Sequence, residues 1–544
     1  LRTKGEDRFW YDVAAIEPDG TRTETLTPST KHGGFLAGQF RARKSIDRLI
    51  ADSELPQFRL NKSLGPWSMI ALGIGAIIGA GIYTLPGVAA VGKHYQVSSV
   101  LHQPILDLLW QLLHGLPLGS GVHASAPAGP AIALSFLLLA VICIVTGLCF
   151  AELATLMPLA GSVYTYSYAA FGELAAWMTG WTLTLEYGLS SIVLAGALSS
   201  ELKTGPVTSH VLALPSQWWM PAWAEGAWTG GYFNVPAFVI ILATTLLLAW
   251  GLRIFSKATM LMVLLKCAAI LVFVVVGSTL VHPANWHPFA PGGMKGVLAG
   301  GTMLFYTFIG FDYVSVAAEE ARNPERSVPF GIVGSIVISA LLYIAVALVL
   351  LGMMPYTEFG SGAADSTVPA LYALGRFGAN PIYLRMVGSG MVIGLLSLVF
   401  VSQYSQTRIW YAMSRDGLLP EVFSSLHPKK KIPHWCIWIG GAAMALLAGL
   451  IGIGEAGDVV INGALVAFAV VPICVIYFRK TQPERPRRIK VPWAPWLPLV
   501  SLAATLVMMA SLPLISWIRF AGWLAIGLVI YLGYGRRHST LAAR

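Results

Sequence analysis

The 544-residue sequence predicts an all-α membrane protein of twelve transmembrane helices, with helices 1 and 6 discontinuous. It is 56% hydrophobic and only 11% charged, a balance foreign to soluble globular chains. A hydrocarbon core of about 30 Å takes roughly 20 apolar residues to cross as a helix. Twelve runs of about that kind occur, over 66–91, 130–157, 174–202, 235–252, 258–280, 295–318, 330–354, 383–413, 434–453, 459–478, 495–513 and 517–535. Glycine clusters interrupt the first and the sixth.

Charge fixes the expected orientation. The net charge of +10 is unevenly spread: 28 of the 36 Lys and Arg fall on the arm before span 1, the alternate connections after it, and the tail. Such a bias is the positive-inside pattern and puts both termini in the cytoplasm of a cell (inner) membrane protein. The basic balance therefore reports topology, and no nucleic-acid partner is expected. The five cysteines lie in or beside apolar runs with no CxxC pair, so neither a disulfide nor a metal site is expected. The polar start of the chain gives no sign of a cleaved signal peptide.

Residues 1–40 read as a mobile tail. Over 41–65, Ile46, Leu49 and Ile50 share a helical face beside basic residues, which suits a short helix on the inner membrane surface or a solvated linker helix. Residues 66–280 hold spans 1 to 5, 295–478 hold spans 6 to 10, 495–535 hold spans 11 and 12, and 536–544 form a tail. The outer connection 92–129 contains VLHQPILDLLWQLLHGLPLG, too short an apolar run to span, and is expected to form an interfacial or lid-like helix. In the outer connection after span 3, QWWMPAWAEGAW fits the aromatic belt of a membrane interface.

The two interruptions read GIGAIIGAGIY (73–83) and FYTFIGFDYVSVAAEE (305–320), five spans apart. That spacing is what two inverted five-helix repeats give, with the interrupted helices meeting near the bilayer midplane. Irregular backbone in a membrane is tolerated only where protein or an aqueous cavity covers it. Unwinding at Gly79, Ala80 and Gly81 would free N–H groups at the positive end of a half-helix, a site for a carboxylate. Unwinding around Phe308, Ile309 and Gly310 would free carbonyls for an ammonium. Together they suit a zwitterionic amino acid; the competing reading is that the glycines only allow close helix packing.

The chain also resembles the cationic amino acid transporter (CAT) family of the amino acid, polyamine and organocation superfamily, especially its bacterial members, from about residue 44 to 538. The resemblance is carried by SLGPWSMIALGIGAIIGAGIY, LCFAELATLMPLAGSVYTYSYAAFGELAAWMTGW, GFDYVSVAAEEARNPERSVP, QTRIWYAMSRDGLLP and YFRKTQPERPRRIKVPWAPWLP. It implies a ten-helix core of two inverted repeats plus two peripheral helices, alternating access, and import of amino acids, usually with protons. It implies no cofactor, and allows for a small single-helix subunit as partner besides the substrate, protons and membrane lipid. Carried over by motif, Ile77, Gly79, Ala80 and Gly81 would hold the substrate carboxylate, with Phe308, Ile309 and Phe311 at its amino group. Many relatives read GTG where this chain has Gly79, Ala80 and Gly81, so a side-chain bond to the carboxylate is lost here.

Ionisable residues at membrane depth are costly and point to function. Lys266, in MVLLKCAAILVF of span 5, is suggested by the resemblance to take the place of a cation that ties span 1 to span 8, and to carry a coupling proton; a permanently charged tie is the alternative. Glu186 of span 3 is expected either to face the substrate cavity or to remain protonated as helix glue. Asp312 either caps the second half of helix 6 and steadies its unwound chain or carries a proton. Glu319, Glu320 and Arg322 at the end of span 6, with Arg326, and Arg408 and Arg415 on span 8, could form an inner gate. The simpler reading of these, and of Glu152, is surface ion pairs at helix ends. Ser402 and Ser397 are candidates for lining the side-chain pocket.

No HExxH, GxSxG or GxxxxGK[ST] motif occurs, which argues against an enzyme. An amino acid exchanger, or a nutrient sensor on a transporter fold, stays open beside the symporter.

Overall fold

The computed structural model describes residues 43–92, 94–97, 99–115, 118, 121–204, 233–360, 368–451 and 456–541. The expected tail over 1–40 and the tryptophan-rich stretch 217–228 lie outside them.

All twelve apolar runs are helical. After α1 (Ile46–Glu54), the first run forms α2 (Pro66–Ile77) and α3 (Gly81–Val91), which bend by 47° across the break. Between α3 and the second run lie β1 (His94–Val97), α4 (Ile105–Leu113) and β2 (Gly121–Ala124). The second run is α5 (Ile132–Leu156). A short α6 (Val163–Phe171) leads into α7 (Glu173–Thr184), which continues through a π turn at Leu185–Leu189 into α8 (Ser190–Thr204). The fourth and fifth runs are α9 (Val235–Ala249) and α10 (Leu252–Ser278). The sixth run comprises α11 (Gly293–Leu304), a 3-10 turn at Phe305–Phe308 and α12 (Tyr313–Val316). Then follow α13 (Pro324–Met353), α14 (Pro369–Arg376), α15 (Pro381–Arg415), α16 (His434–Leu450), α17 (Ala456–Thr481), α18 (Trp496–Ala510) and α19 (Leu514–Ile530). Among the described residues eight helices are long and apolar enough to cross a membrane, and α2 with α3 makes a ninth, bent one. The shorter α9, α16 and α18 are apolar as well. The chain is a multi-pass membrane protein.

Local chemistry sets several helix starts. Pro66, Pro324, Pro369 and Pro381 each occupy a first helical position, where a missing N–H costs nothing. Asn234 and Asn380 cap α9 and α15 by accepting from the Ala237 and Ile382 amides. Helix α13 packs on α5 and α2, α10 packs on α15 and α2, and α9 on α16. Small residues let these axes approach: a Cβ on Gly390 of α15 would lie 2.2 Å from the Ala269 Cβ of α10. Exposed apolar side chains such as Leu261 and Leu264 on α10 and Val529 on α19 form the outer surface.

Two expectations change. The apolar face of α1 packs against the protein: Ile46 and Leu49 are buried in the main core, and the preceding Lys44 is 2% exposed. An amphipathic pattern shows that one face is apolar, not what covers it. The outer connection is more than a helix, because β1 and β2 pair antiparallel from His94 opposite Ala124 to Val97 opposite Gly121. Between them α4 leaves Leu109, Trp110, Leu112 and Leu113 exposed, as an interfacial helix would. It is tied to the α18–α19 connection by the Ile105 amide donating to Leu512 O (3.3 Å).

Candidate functional site

The break between α2 and α3 covers Ile78, Gly79 and Ala80. Ile78 leaves the helix with extended backbone, and α3 opens at Ala80 with no side chain capping its amino end. The first amides of a helix have no intrahelical acceptor and point toward its N-terminus, so those of α3 are directed at the gap. A Cβ on Gly79 would meet the Leu398 Cδ1 of α15 at 2.3 Å, and one on Gly81 would meet Leu85 at 3.0 Å and Thr307 at 3.6 Å. Apolar groups therefore border the unwound stretch.

Lys266 occupies the carbonyl side of this break. From α10 its Nζ donates to Ile74 O (2.9 Å), Gly75 O (3.2 Å), Ile78 O (2.7 Å) and Ser397 Oγ (2.8 Å). Ser397 Oγ lies within 3.1 Å of Gly75 O and 2.8 Å of Gly394 O. The ammonium thus joins α10, the end of α2 and α15 while 1% exposed. Among the described residues it has no ion pair; carbonyls and one hydroxyl hold it. Ser397 engages Lys266 rather than a side-chain pocket.

In the sixth run the helix stops at Phe308, and Ile309 turns extended. Gly310 follows at φ +123°, a conformation open to glycine but not to side chains. It also presses on the first break, since a Cβ there would lie 2.5 Å from Ala76 O. Tyr343 of α13 bridges the two interruptions, its hydroxyl 2.9 Å from Thr307 O and 3.1 Å from Ile77 O. The side chains of Phe308 and Phe311 do not line open space. Phe308 packs on Tyr343, and Phe311 on Phe150 and Phe468.

Asp312 does not cap the second half-helix through its side chain. Its Oδ2 accepts from Tyr187 OH at 2.8 Å. Glu186, on the π turn that also carries Tyr187, is fully buried, and its carboxylate interacts electrostatically with that of Asp312. Neither Glu186 oxygen has a hydrogen-bond partner among the described residues. Ser402, also buried, lies beside the Tyr313 phenol.

At the end of the bundle nearer the termini, the acidic residues are buried rather than on the surface. Glu320 binds Arg408 (Oε1 to Nη2, 2.8 Å) and accepts from Tyr404, while Glu319 binds Arg415 (3.1 Å) and accepts from the Ala160 amide (2.9 Å). None of the four charged side chains is more than 5% exposed. Arg322 joins neither pair and is exposed, and its amide donates to Leu64 O (3.0 Å). Of the arginines expected near these carboxylates, Arg408 and Arg415 pair with them. Glu152 is buried too, accepting from Arg479 (2.6 and 2.9 Å) and the Val491 amide (2.7 Å). Lys44 pairs with Asp416 at 2.6 Å, and Tyr164 donates to the same carboxylate at 2.7 Å.

At the opposite end a cavity of about 840 Å³ opens between α3, α11, α17, α18 and the outer connection. Leu85, Met303, Phe305, Ile461 and Leu465 are among its walls, and His102 and Asp107 belong to its lining from the outer connection.

Sequence reasoning missed Tyr343, Tyr187 and the Lys44–Asp416 pair. The tyrosines sit in apolar stretches without a motif, and Lys44 and Asp416 are 372 positions apart, so no local signal joins them.

The sequence pattern of the family described as amino acid permease matches residues 109–532. The chain is 36% identical over 507 residues to the methylthioribose transporter of Bacillus subtilis (strain 168), covering 93% of this chain and 100% of that protein. It is 36% identical over 510 residues to the branched-chain amino acid permease BcaP of the same organism, again 93% and 100%. Against the chloroplastic cationic amino acid transporter 9 of Arabidopsis thaliana the identity is 33% over 476 residues, 85% of this chain and 74% of that one.

Proposed function

The chain belongs to the amino acid permease family of the amino acid, polyamine and organocation superfamily, and from that premise we propose a proton-coupled amino acid symporter working by alternating access. In this reading α2 to α19 make twelve crossings of the inner membrane with both termini cytoplasmic. Residues 66–280 and 295–478 are inverted repeats, and 495–535 form the periphery. The buried ion pairs close the cytoplasmic end, and the cavity lined by Phe305 and Leu465 is the outer entrance.

The substrate carboxylate sits on the amides of Gly79, Ala80 and Gly81, with Ile77 beneath them. Its ammonium sits on carbonyls at Phe308, Ile309 and Phe311. The observation that carries this reading is the meeting of the two interruptions, with Gly310 against Ala76 O and Tyr343 joining Ile77 to Thr307. Backbone left unwound in a membrane interior needs a partner, and a zwitterion supplies one at each end. The side chain it accepts is uncharged and apolar. Leu398, Leu85 and Thr307 border the gap, and the carboxylates of Glu319 and Glu320 are engaged by arginines. The branched-chain permease relative agrees with this choice.

Lys266 carries the coupling proton. Held by carbonyls and Ser397 rather than by a carboxylate, it can release the proton without stranding a buried anion, and doing so weakens the tie among α10, α2 and α15. Asp312 and Glu186 form a second proton-holding element. Tyr187 OH donates to Asp312, and Glu186 is buried with neither carboxylate oxygen hydrogen-bonded among the described residues, a setting in which bare charge is costly.

Uptake of labelled leucine and isoleucine into proteoliposomes tests the proposal. An inward proton gradient is expected to drive accumulation, a sodium gradient is not, and Lys266→Ala is expected to abolish the gradient-driven part. Sodium-driven accumulation, or unaltered transport by Lys266→Ala, would overturn the coupling.

A further inference from the structure

Four arginines from two distant parts of the chain line one cleft of about 670 Å³ at the end of the bundle that holds the buried ion pairs. Arg322 and Arg326 come from the start of α13, and Arg485 and Arg488 from the α17–α18 connection. Asn323 adds a neutral polar group, and Glu325 is the carboxylate of the lining.

The charges do not cancel. Arg488 reaches Glu325 at 2.9 Å as a solvent-exposed pair, and the half-buried Arg485 reaches the exposed Asp47 of α1 at 2.6 Å. The Arg485 guanidinium holds the Asp47 carboxyl below the usual carboxylate range, so that pair stays ionised at neutral pH. Arg322 and Arg326 are exposed and have no ion pair among the described residues. Two guanidinium groups are thus left uncompensated. They stand at the start of α13, a 30-residue helix whose N-cap, Asn323, makes no side-chain cap bond. The helix dipole adds to the same preference for an anion.

We propose that this cleft binds a phosphate-bearing anion of at least two negative charges. Planar guanidinium forks match phosphate oxygens in pairs, and convergence of several from separate segments distinguishes a pocket from a scattered basic face. The position gives binding a consequence. Arg322 is separated from the gate residue Glu320 only by Ala321, and its amide is held by Leu64 O just before α2. The opposite wall is anchored, because Arg479 and the Val491 amide hold the α17–α18 connection to Glu152 of α5. A bound phosphate therefore ties the gate-bearing segment to a fixed loop and favours the closed inner end. Binding itself does not depend on the transport reading, whose failure would leave the cleft as it is.

Pyrophosphate serves as the soluble probe and phosphatidic acid, in nanodiscs of otherwise neutral lipid, as the headgroup probe. The full chain is expected to bind pyrophosphate, and Arg322→Gln with Arg326→Gln to weaken it by about tenfold per guanidinium. Replacement of both by Lys is expected to recover part of the affinity. If phosphatidic acid in the disc competes with pyrophosphate, the natural source is a lipid headgroup; if not, it is a soluble phosphate. Either result keeps the site. The proposal is overturned if the Gln variant binds as tightly as the unmodified protein, or if neither probe binds. Should the variant not fold, phenylglyoxal modification of the unmodified protein decides. Protection of Arg322 and Arg326 by either probe supports the site, and equal modification with and without both removes it.

Discussion

At the end of the bundle that holds the termini, Glu319–Arg415, Glu320–Arg408 and Lys44–Asp416 are sealed inside, with no side chain more than 5% exposed. At the other end, the Arg376–Glu358 pair has side chains 48% and 35% exposed, and the neighbouring space is a cavity with mainly apolar walls. Buried charge is costly to desolvate and, once paired, just as costly to separate. A protein that must shut one end firmly and reopen it as a unit gains from such pairs. An entrance that admits an apolar side chain does not need them. In the transport reading proposed above, the difference between the ends corresponds to one state of the cycle, with the inner side locked and the outer side accessible.

That comparison can be broken most forcefully at Glu320. Glu320→Ala leaves Arg408 buried without its carboxylate and is expected to cost about 3–5 kcal/mol, read as a drop in thermal unfolding temperature. Replacing Arg408 and Glu320 together by leucine is expected to cost less than the single change. A smaller effect is expected from Lys44→Met. It removes a charged hydrogen bond but leaves Tyr164 on Asp416, so a loss of about 2 kcal/mol should appear in the same measurement. At the outer end Arg376→Ala should change stability by less than about 0.5 kcal/mol, because solvent already screens that pair. Equal losses at Arg376 and Glu320 would erase the distinction.

Much of the fold was legible in the sequence because membrane physics leaves few choices. A run of apolar residues must be a helix, and the breaks at Ile78–Ala80 and Ile309–Gly310 fall where the glycine clusters announced them. Less legible were contacts that depend on which faces meet. The burial of α1 required knowing that Lys44 would find Asp416, and the exposure of Arg322 followed from how the chain turns after Ala321 to meet Leu64. The β1–β2 hairpin was hidden in a connection whose only strong pattern was the apolar face of α4. Tyr343 stood in an apolar stretch, indistinguishable from packing until both breaks were seen to share its hydroxyl.

The central claim is that the unwound backbone near Gly79 and Ile309 grips both charged ends of one amino acid. Thermal unfolding of the purified protein with leucine, leucine methyl ester and N-acetyl-leucine tests it most directly. Free leucine should raise the unfolding temperature, and neither blocked form should. Stabilisation by the ester or the N-acetyl compound equal to that by leucine would contradict it.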